Sequence, residues 1–183
     1  ESTKTAAVYD AVARSIVQGA LQGINGTIFA YGQTSSGKTH TMHGAGGEGG
    51  ELGLLQLAAH QIFDYIEATP TRQFLLRVSY IEVYNEVVRE LLDPETPTLK
   101  IRESREHGPF VQSKEKLLNS FAGFEKMLTE GSKNRATGET DMNARSSRSH
   151  TIFKIIVESR DAEEEGAVLV SSINLVDLAG SEN

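Results

Sequence analysis

The 183-residue sequence predicts an α/β fold in which helices flank both faces of a central, mixed and mainly β-sheet, and three observations carry that prediction. Short apolar, strand-like runs alternate with stretches of helical spacing. One such run leads directly into the glycine-rich loop Gly32-Gln33-Thr34-Ser35-Ser36-Gly37-Lys38-Thr39, which precedes a helical stretch. Another ends on an acid, Asp177, with Gly180 three residues further on.

Residues 5–22 place Val8, Val12, Ile16 and Ala20 on one stripe, with Val17 and Leu21 beside it, so an amphipathic helix is expected until Gly23 and Asn25-Gly26 stop it. Residues 27–31 are short, apolar and partly β-branched, as a buried strand should be. A helix should start at Gly37 or Lys38. Six glycines among residues 43–53 exclude a helix there and read as a flexible surface loop. Leu54, Leu55, Leu57, Ala58, Ile62, Phe63 and Ile66 then outline a second amphipathic helix that ends before Pro70.

Residues 74–84 form the longest strand, apolar on both faces and therefore central. Residues 85–92 read as a short helical turn closed by Asp93-Pro94, and residues 99–102 and 110–112 as short strands. Ser120 can cap a helix bearing Phe121, Phe124, Met127 and Leu128. The polar stretch 132–149 is not expected in the core. Residues 151–159 and 168–177 are strands, joined as a hairpin across the acidic, solvated loop 161–165.

Composition narrows the class of partner. Net charge is −7, from 25 acidic and 18 basic residues, so bulk electrostatics give a nucleic-acid partner no support. The absence of cysteine excludes a disulfide framework and a cysteine metal site, and fits a cytosolic setting. No apolar run approaches the ~18 residues of a membrane helix, and no signal peptide opens the chain. Glu1 stands where an initiator Met would, and Asn183 follows closely on an apolar run, so a fragment of a larger domain is expected.

The spacing G-x-x-x-x-G-K-[ST] has a mechanical reason. Glycines let the backbone curl until successive N–H groups face one anion, the next helix adds the positive end of its dipole, Lys38 reaches terminal phosphates, and Thr39 offers a hydroxyl to Mg²⁺. Nucleoside triphosphate handling is therefore the first hypothesis. Asp177 at a strand end could reach the Mg²⁺ shell, with the Gly180 amide close to the γ-phosphate. A D-x-x-G pattern is common by itself, and an acid that merely ends a strand is equally consistent with it. Asn143-Ala144-Arg145-Ser146-Ser147-Arg148-Ser149-His150 is a dense cluster of hydroxyls and cations that could surround a triphosphate, or, read alone, a surface loop open to phosphorylation.

Taken in this order, the three segments resemble the motor domain of kinesins. That family's site is built from a loop G-Q-T-x-x-G-K-T, a first switch N-x-x-S-S-R-S-H and a second switch D-L-A-G-S-E. Every fixed position is filled here, at residues 32–39, 143–150 and 177–182. The match extends through Thr27-Ile28-Phe29-Ala30-Tyr31 and Tyr80-Ile81-Glu82-Val83-Tyr84-Asn85-Glu86, and covers essentially the whole chain.

The resemblance implies an α/β fold of the phosphate-loop hydrolase type and an ATP-hydrolysing microtubule motor, with residues 1–183 as an incomplete motor domain. The N-terminal strand region and the elements after the second switch would lie outside it. ATP and Mg²⁺ are the implied cofactors and tubulin the implied partner, with neither nucleic acid nor membrane. Gly32, Gln33, Thr34, Ser35, Ser36, Gly37, Lys38 and Thr39 would hold the phosphates together with Asn143, Ser146 and Ser147. Thr39 and Ser147 would ligate Mg²⁺, and Asp177 would reach it through water. Ser147, Arg148, Gly180 and Glu182 would carry catalysis, with Arg148 and Glu182 closing as a salt bridge and the Gly180 amide sensing the γ-phosphate. Residues 100–110 resemble a tubulin-touching strand and loop. Dimerisation through a coiled coil outside this chain and a cytoplasmic, microtubule-associated location are further implications.

Residues 74–80, 138–140 and 155–160 look most like the centromere-associated class, which would add the spindle or kinetochore as a setting. The chain departs from the family in one respect. Where members often carry a Pro-Arg pair, it reads Gly53-Leu54-Leu55-Gln56-Leu57-Ala58, which should alter how the helix starts and leave the chemistry alone. Other readings are a motor-like module that binds nucleotide or microtubules without turnover, against which the intact switch residues argue, and a GTPase, which the S-S-R-S-H segment disfavours. Myosins carry different switch sequences. A sheet lacking part of its cover would expose apolar surface and unpaired edges, so the fragment by itself is expected to be unstable or inactive.

Overall fold

The computed structural model describes residues 4–45, 49–96, 98–105, 108–137, 147–162 and 166–182. Its frame is a mixed sheet in the order β1-β8-β7-β2-β3, built from β1 (Gly26–Ala30), β2 (Arg72–Tyr84), β3 (Val87–Glu90), β7 (His150–Asp161) and β8 (Leu169–Asp177). The two-residue strand β6 (Lys116–Leu117) pairs with β2 beside β3. β1 and β8 run parallel, whereas β7 is antiparallel to both β8 and β2. A separate hairpin joins β4 (Ile101–Ser104) to β5 (Gly108–Val111).

Alternation along the strands decides where the core lies. Leu76, Val78 and Tyr80 of β2, Phe153, Ile155 and Val157 of β7, and Ile173 and Leu175 of β8 all point to one face and are buried there. Helices α2 (Arg14–Leu21), α3 (Lys38–His43), α4 (Leu54–Glu67) and α5 (Phe121–Thr137) contribute Val17, Leu21, Met42, Leu55, Ile62 and Phe124 to the same cluster. Each fully buried aliphatic side chain contributes about 1.5–3 kcal/mol, so this face dominates stability. The opposite face leaves Phe29, Leu75 and Val170 exposed. The second helical layer expected on that face is not formed by the described residues. No helix among them is long and apolar enough to cross a membrane.

The first expected helix is continuous but not uniform: α1 (Thr5–Val8) passes through a π-helical turn at Tyr9–Ala13 into α2. The wider turn seats the Tyr9 hydroxyl on the Gln61 side-chain oxygen, while Gln61 Nε2 donates to the Arg14 carbonyl at 3.2 Å. The expected helical turn at residues 85–92 is instead a hairpin. Asn85 and Glu86 both take positive φ, 49° and 62°, which a two-residue loop needs to match the twist of its strands, and β3 follows. With no glycine to announce it, the turn was hidden in the sequence. Ser120 does cap α5, accepting from the Gly123 N–H at 3.1 Å. The helix runs to Thr137, further into the polar stretch than its apolar spacing suggested.

Gln56 explains the departure at the start of α4. Its side-chain oxygen accepts from the Gly53 N–H at 3.1 Å and its Nε2 donates to the His43 carbonyl at 2.9 Å. One side chain thus staples the end of α3 to the beginning of α4, and the glycine-rich connection is cinched at its base by Ala45 N–H donating to the Glu51 carbonyl at 2.9 Å.

The aromatic centre is equally tight. Tyr80 and Phe153 meet edge-on with centroids 5.1 Å apart, Phe124 meets Phe153 at 5.4 Å, and Gly131 of α5 lies flat on the Tyr80 ring. A Cβ on Gly131 would stand 2.3 Å from Tyr80 Cδ1, inside a packed core with nowhere for the ring to go. Helix propensity alone would make Gly131→Ala stabilising by about 1 kcal/mol. We expect the opposite sign, a loss of roughly 1–3 kcal/mol from overpacking, read as a lower denaturation midpoint at unchanged m-value.

Candidate nucleotide site

The register of the parallel pair builds the site. Ala30, the last residue of β1, lies opposite Asp177, the last of β8, so the loop leaving β1 and the segment leaving β8 emerge side by side. Asp177 falls on the stripe of Ile173 and Leu175 and is 3% exposed. A carboxylate at a position otherwise reserved for aliphatic side chains needs a partner, because a buried charge is otherwise expensive. Thr39 supplies it: the hydroxyl donates to Asp177 Oδ2 at 2.7 Å, while Oδ1 has no hydrogen-bond partner.

The glycine-rich loop curls between these strands and α3. Gly37 takes φ +94° immediately before Lys38, a conformation that a side chain would resist. Lys38 Nζ donates to the carbonyls of Gly32 and Gln33, each at 2.8 Å, which folds the ammonium back over the loop. Ser36 N–H donates to the Gln33 carbonyl at 3.2 Å. A cleft of about 350 Å³ opens above the loop, lined by Thr34, Ser35, Gly37, Lys38, Thr39, His40, Arg135, Ser147 and Leu178.

The segment leaving β8 is stitched to the loop and to the start of β7. Leu178 N–H donates to the Ala30 carbonyl at 3.3 Å, Ser181 N–H to Gly32 at 3.1 Å, and Gly180 N–H to the Ser147 carbonyl at 2.7 Å. Ala179 N–H donates to His150 Nδ1 at 3.0 Å. Glu182 lies on the loop as well: Oε2 accepts from Thr34 N–H at 2.8 Å and Oε1 from the Thr34 hydroxyl. The Thr34 hydroxyl, with the backbone amides of Glu182 and Thr34, lowers the pKa of this exposed carboxyl.

The structure therefore gathers Thr34, Ser35, Gly37, Lys38, Thr39 and Ser147 around one cleft and sets Gly32, Asp177, Gly180 and Glu182 against it. Gln33 and Ser36 complete the loop. Asn143 and Ser146 lie outside the described residues. Arg148 is exposed, and the Glu182 carboxylate bonds Thr34.

Two residues of the site were missed in the sequence. Arg135 lines the cleft, its Nη2 donates to Ser149 Oγ at 2.9 Å, and its Nε stands 3.6 Å from Oε1 of Glu82, a carboxylate with no exposed surface. The signal was legible: Phe124, Leu128, Gly131 and Arg135 repeat at +4, +3, +4, which places a cation on the buried stripe of α5. Glu82 likewise shares the inward face of β2 with Val78 and Tyr80. Among the described residues, no cluster of three or more His, Cys, Asp or Glu side chains could hold a metal by itself. The donor set of hydroxyls, one carboxylate with a spare oxygen and a phosphate-binding loop suits Mg²⁺, a hard cation that takes one or two protein oxygens and shares the rest with phosphates and water.

His43 ends α3 below this layer, 6.4 Å from the Tyr80 ring centroid. Burial lowers its pKa from 6.5 to about 4, only partly opposed by the charge of Asp177. The folded protein thus keeps the imidazole neutral where the unfolded chain already protonates it. Stability from this residue is present above pH 6.5 and drains away as pH falls toward 4, by on the order of 2–3 kcal/mol. We expect His43→Gln to flatten the stability profile across that window in urea titrations at a series of pH values.

Comparison with known proteins places this geometry. A family model described as "Kinesin motor domain" matches residues 1–183. Kinesin-like protein KIN-7E, chloroplastic, of Oryza sativa subsp. japonica is 49% identical over 185 residues, covering 100% of this chain and 16% of that protein. Kinesin-like protein KIN-7K, chloroplastic, of Arabidopsis thaliana is 50% identical over 186 residues, covering 100% and 19%. The chain thus spans less than a quarter of the length of these relatives. A solved structure, described as that of a fast kinesin, superposes with TM-score 0.93 at 35% identity, over 99% of this chain and 52% of that one.

Proposed function

The chain belongs to the kinesin motor-domain family, and on that footing we propose that it forms the nucleotide-binding and hydrolysing part of an ATP-dependent microtubule motor. The observation that carries the proposal is the bond from Thr39 to Asp177, with the second Asp177 oxygen buried and unpartnered beside a phosphate-binding loop. It supports a metal-nucleotide site in which Thr39 and Ser147 offer hydroxyls to Mg²⁺ and Asp177 reaches it through water. Mg²⁺, when bound, neutralises charge on the phosphate oxygens.

The remaining work falls to the chain. Lys38 turns from the Gly32 and Gln33 carbonyls to the β- and γ-phosphates, the loop amides of residues 32–39 bind phosphate oxygens, and Asn143 and Ser146 close over them. The Gly180 amide exchanges the Ser147 carbonyl for the γ-phosphate, so that the two switches respond together to its presence. Arg148 and Glu182 pair to hold the attacking water in line. Release of the γ-phosphate breaks these contacts, an order-to-disorder device that turns hydrolysis into motion.

Residues 1–183 make up one part of a motor domain, a reading supported by the 52% coverage of the solved kinesin. The β4–β5 hairpin, with Arg102 and Arg105, is a candidate tubulin contact. Dimerisation through a coiled coil beyond this segment and a cytoplasmic, microtubule-bound location go with a motor. For class, residues 74–80, 138–140 and 155–160 support a centromere-associated kinesin acting at the spindle or kinetochore; the relatives named above carry the designation KIN-7.

The test is steady-state ATP turnover of the full-length protein, with and without microtubules, beside Glu182→Ala. We expect strong microtubule stimulation in the parent and a fall of at least ~100-fold in the variant, the scale of removing a residue that positions the proton-transferring water. Microtubule binding without turnover in either protein would overturn the proposal in favour of a binding module.

A further inference from the structure

The phosphate loop already carries an anion of its own. A carboxylate of Glu182 takes both the N–H and the hydroxyl of Thr34, a residue that lines the cleft. The N–H groups of such a loop are the donors that hold phosphate, and Glu182 therefore competes for at least one of them. The contact is also geometrically coupled to the neighbouring segment. A Cβ on Gly180 would lie 2.5 Å from Thr34 Oγ1 and 2.5 Å from Glu182 Oε2, so the three residues are in close mutual contact. Ser181 N–H on the Gly32 carbonyl, at 3.1 Å, keeps the backbone of this segment against the loop, so the side chain of Glu182 is the part best placed to change partner. Arg148, its expected partner, is exposed, while the Glu182 carboxylate bonds Thr34.

We propose that Thr34 is a positioning residue for Glu182, holding the carboxylate on the phosphate loop and apart from Arg148 until an incoming triphosphate displaces it. The inference rests on the functional reading of Glu182 and Arg148 given above and adds the step that precedes it. Bound nucleotide and the Thr34–Glu182 contact exclude each other, so loop occupancy and formation of the Arg148–Glu182 pair become one event. A carboxylate freed from Thr34 by phosphate is available to Arg148, and one still held there is not. Premature closure is thereby disfavoured.

The consequence is counterintuitive for a loop residue: loosening Thr34 should tighten nucleotide binding. Thr34→Val removes the hydroxyl while keeping the N–H and nearly the same volume. In the full-length protein, with a fluorescent non-hydrolysable ATP analogue and Mg²⁺ as the probe, we expect its Kd to fall about three- to tenfold, the scale of one charge-assisted hydrogen bond at an exposed site. Thr34→Ser, which keeps the hydroxyl, should retain the parental Kd. In a Glu182→Gln background, the further change from Thr34→Val should shrink, because only a neutral amide oxygen is left to accept from Thr34. Weaker or unchanged binding by Thr34→Val, or the same gain in the Glu182→Gln background, would overturn the inference. Failure of the parent protein to bind the analogue would overturn the functional reading and this inference with it. Intact parental binding with additive variants would overturn this inference alone.

Discussion

The parallel pairing of β1 with β8, in the register that sets Ala30 opposite Asp177, is the constraint on which the site depends, since it brings the glycine-rich loop and an acid from opposite ends of the sequence side by side. β8 lies between β1 and β7, and its Ile173 and Leu175 are buried against the helices. A slip of one residue would turn those aliphatics to the other face and carry Asp177 with them, away from Thr39. The hydrophobic stripe therefore fixes the position of the acid as firmly as it fixes the core. Packing, rather than any attraction between the polar groups, sets the 2.7 Å contact between Thr39 and Asp177.

Beneath the loop lies a polar layer of a different character. Glu82 on β2 faces Arg135 on α5, and Arg135 bonds Ser149, which precedes β7. Taking both charges of such a pair out of water offsets much of their attraction, so the pair need not stabilise the fold relative to apolar residues. Removing one partner is another matter, because it strands a charge in the interior at a cost of about 3–5 kcal/mol. The layer thus specifies geometry more than it supplies stability. It ties the start of β7, with Ser147 just before it, to the middle of the sheet, and gives one side of the cleft a rigid wall.

The other side is built from contacts of the opposite kind. Glu182 and Thr34 are both solvent-exposed, and Lys38 is satisfied by the loop carbonyls of Gly32 and Gln33. Hydrogen bonds open to water carry little of the global stability and break locally. A rigid scaffold facing an exchangeable set of donors is what a nucleotide-responsive site requires, because ligand can then rearrange the loop side without disturbing the core. Gln56 extends the scaffold by holding α3 and α4 together across the glycine-rich connection, a task for which a proline at that position has no donor or acceptor side chain.

The sequence alone determined the motif-bearing elements. Residues 32–39 dictate a tightly curled loop, because their glycines and the lysine at that spacing form a pattern that turns backbone amides inward, and the alternation along β2, β7 and β8 dictates interior strands whose inward faces can be read residue by residue. Asp177 was legible as an acid ending an apolar stripe. The tertiary structure decided what those residues touch. No local pattern says that Glu82 will meet Arg135, that Gln56 will bridge two helices, or that Glu182 will lie on Thr34 rather than Arg148, because each contact joins residues whose separation in space is set by sheet register and helix packing. The hairpin at Asn85-Glu86 belongs to the same group, since a turn without glycine is chosen by the pairing of the strands on either side of it. Periodicity reports which face a side chain takes, and only the assembled layers report what lies across from it.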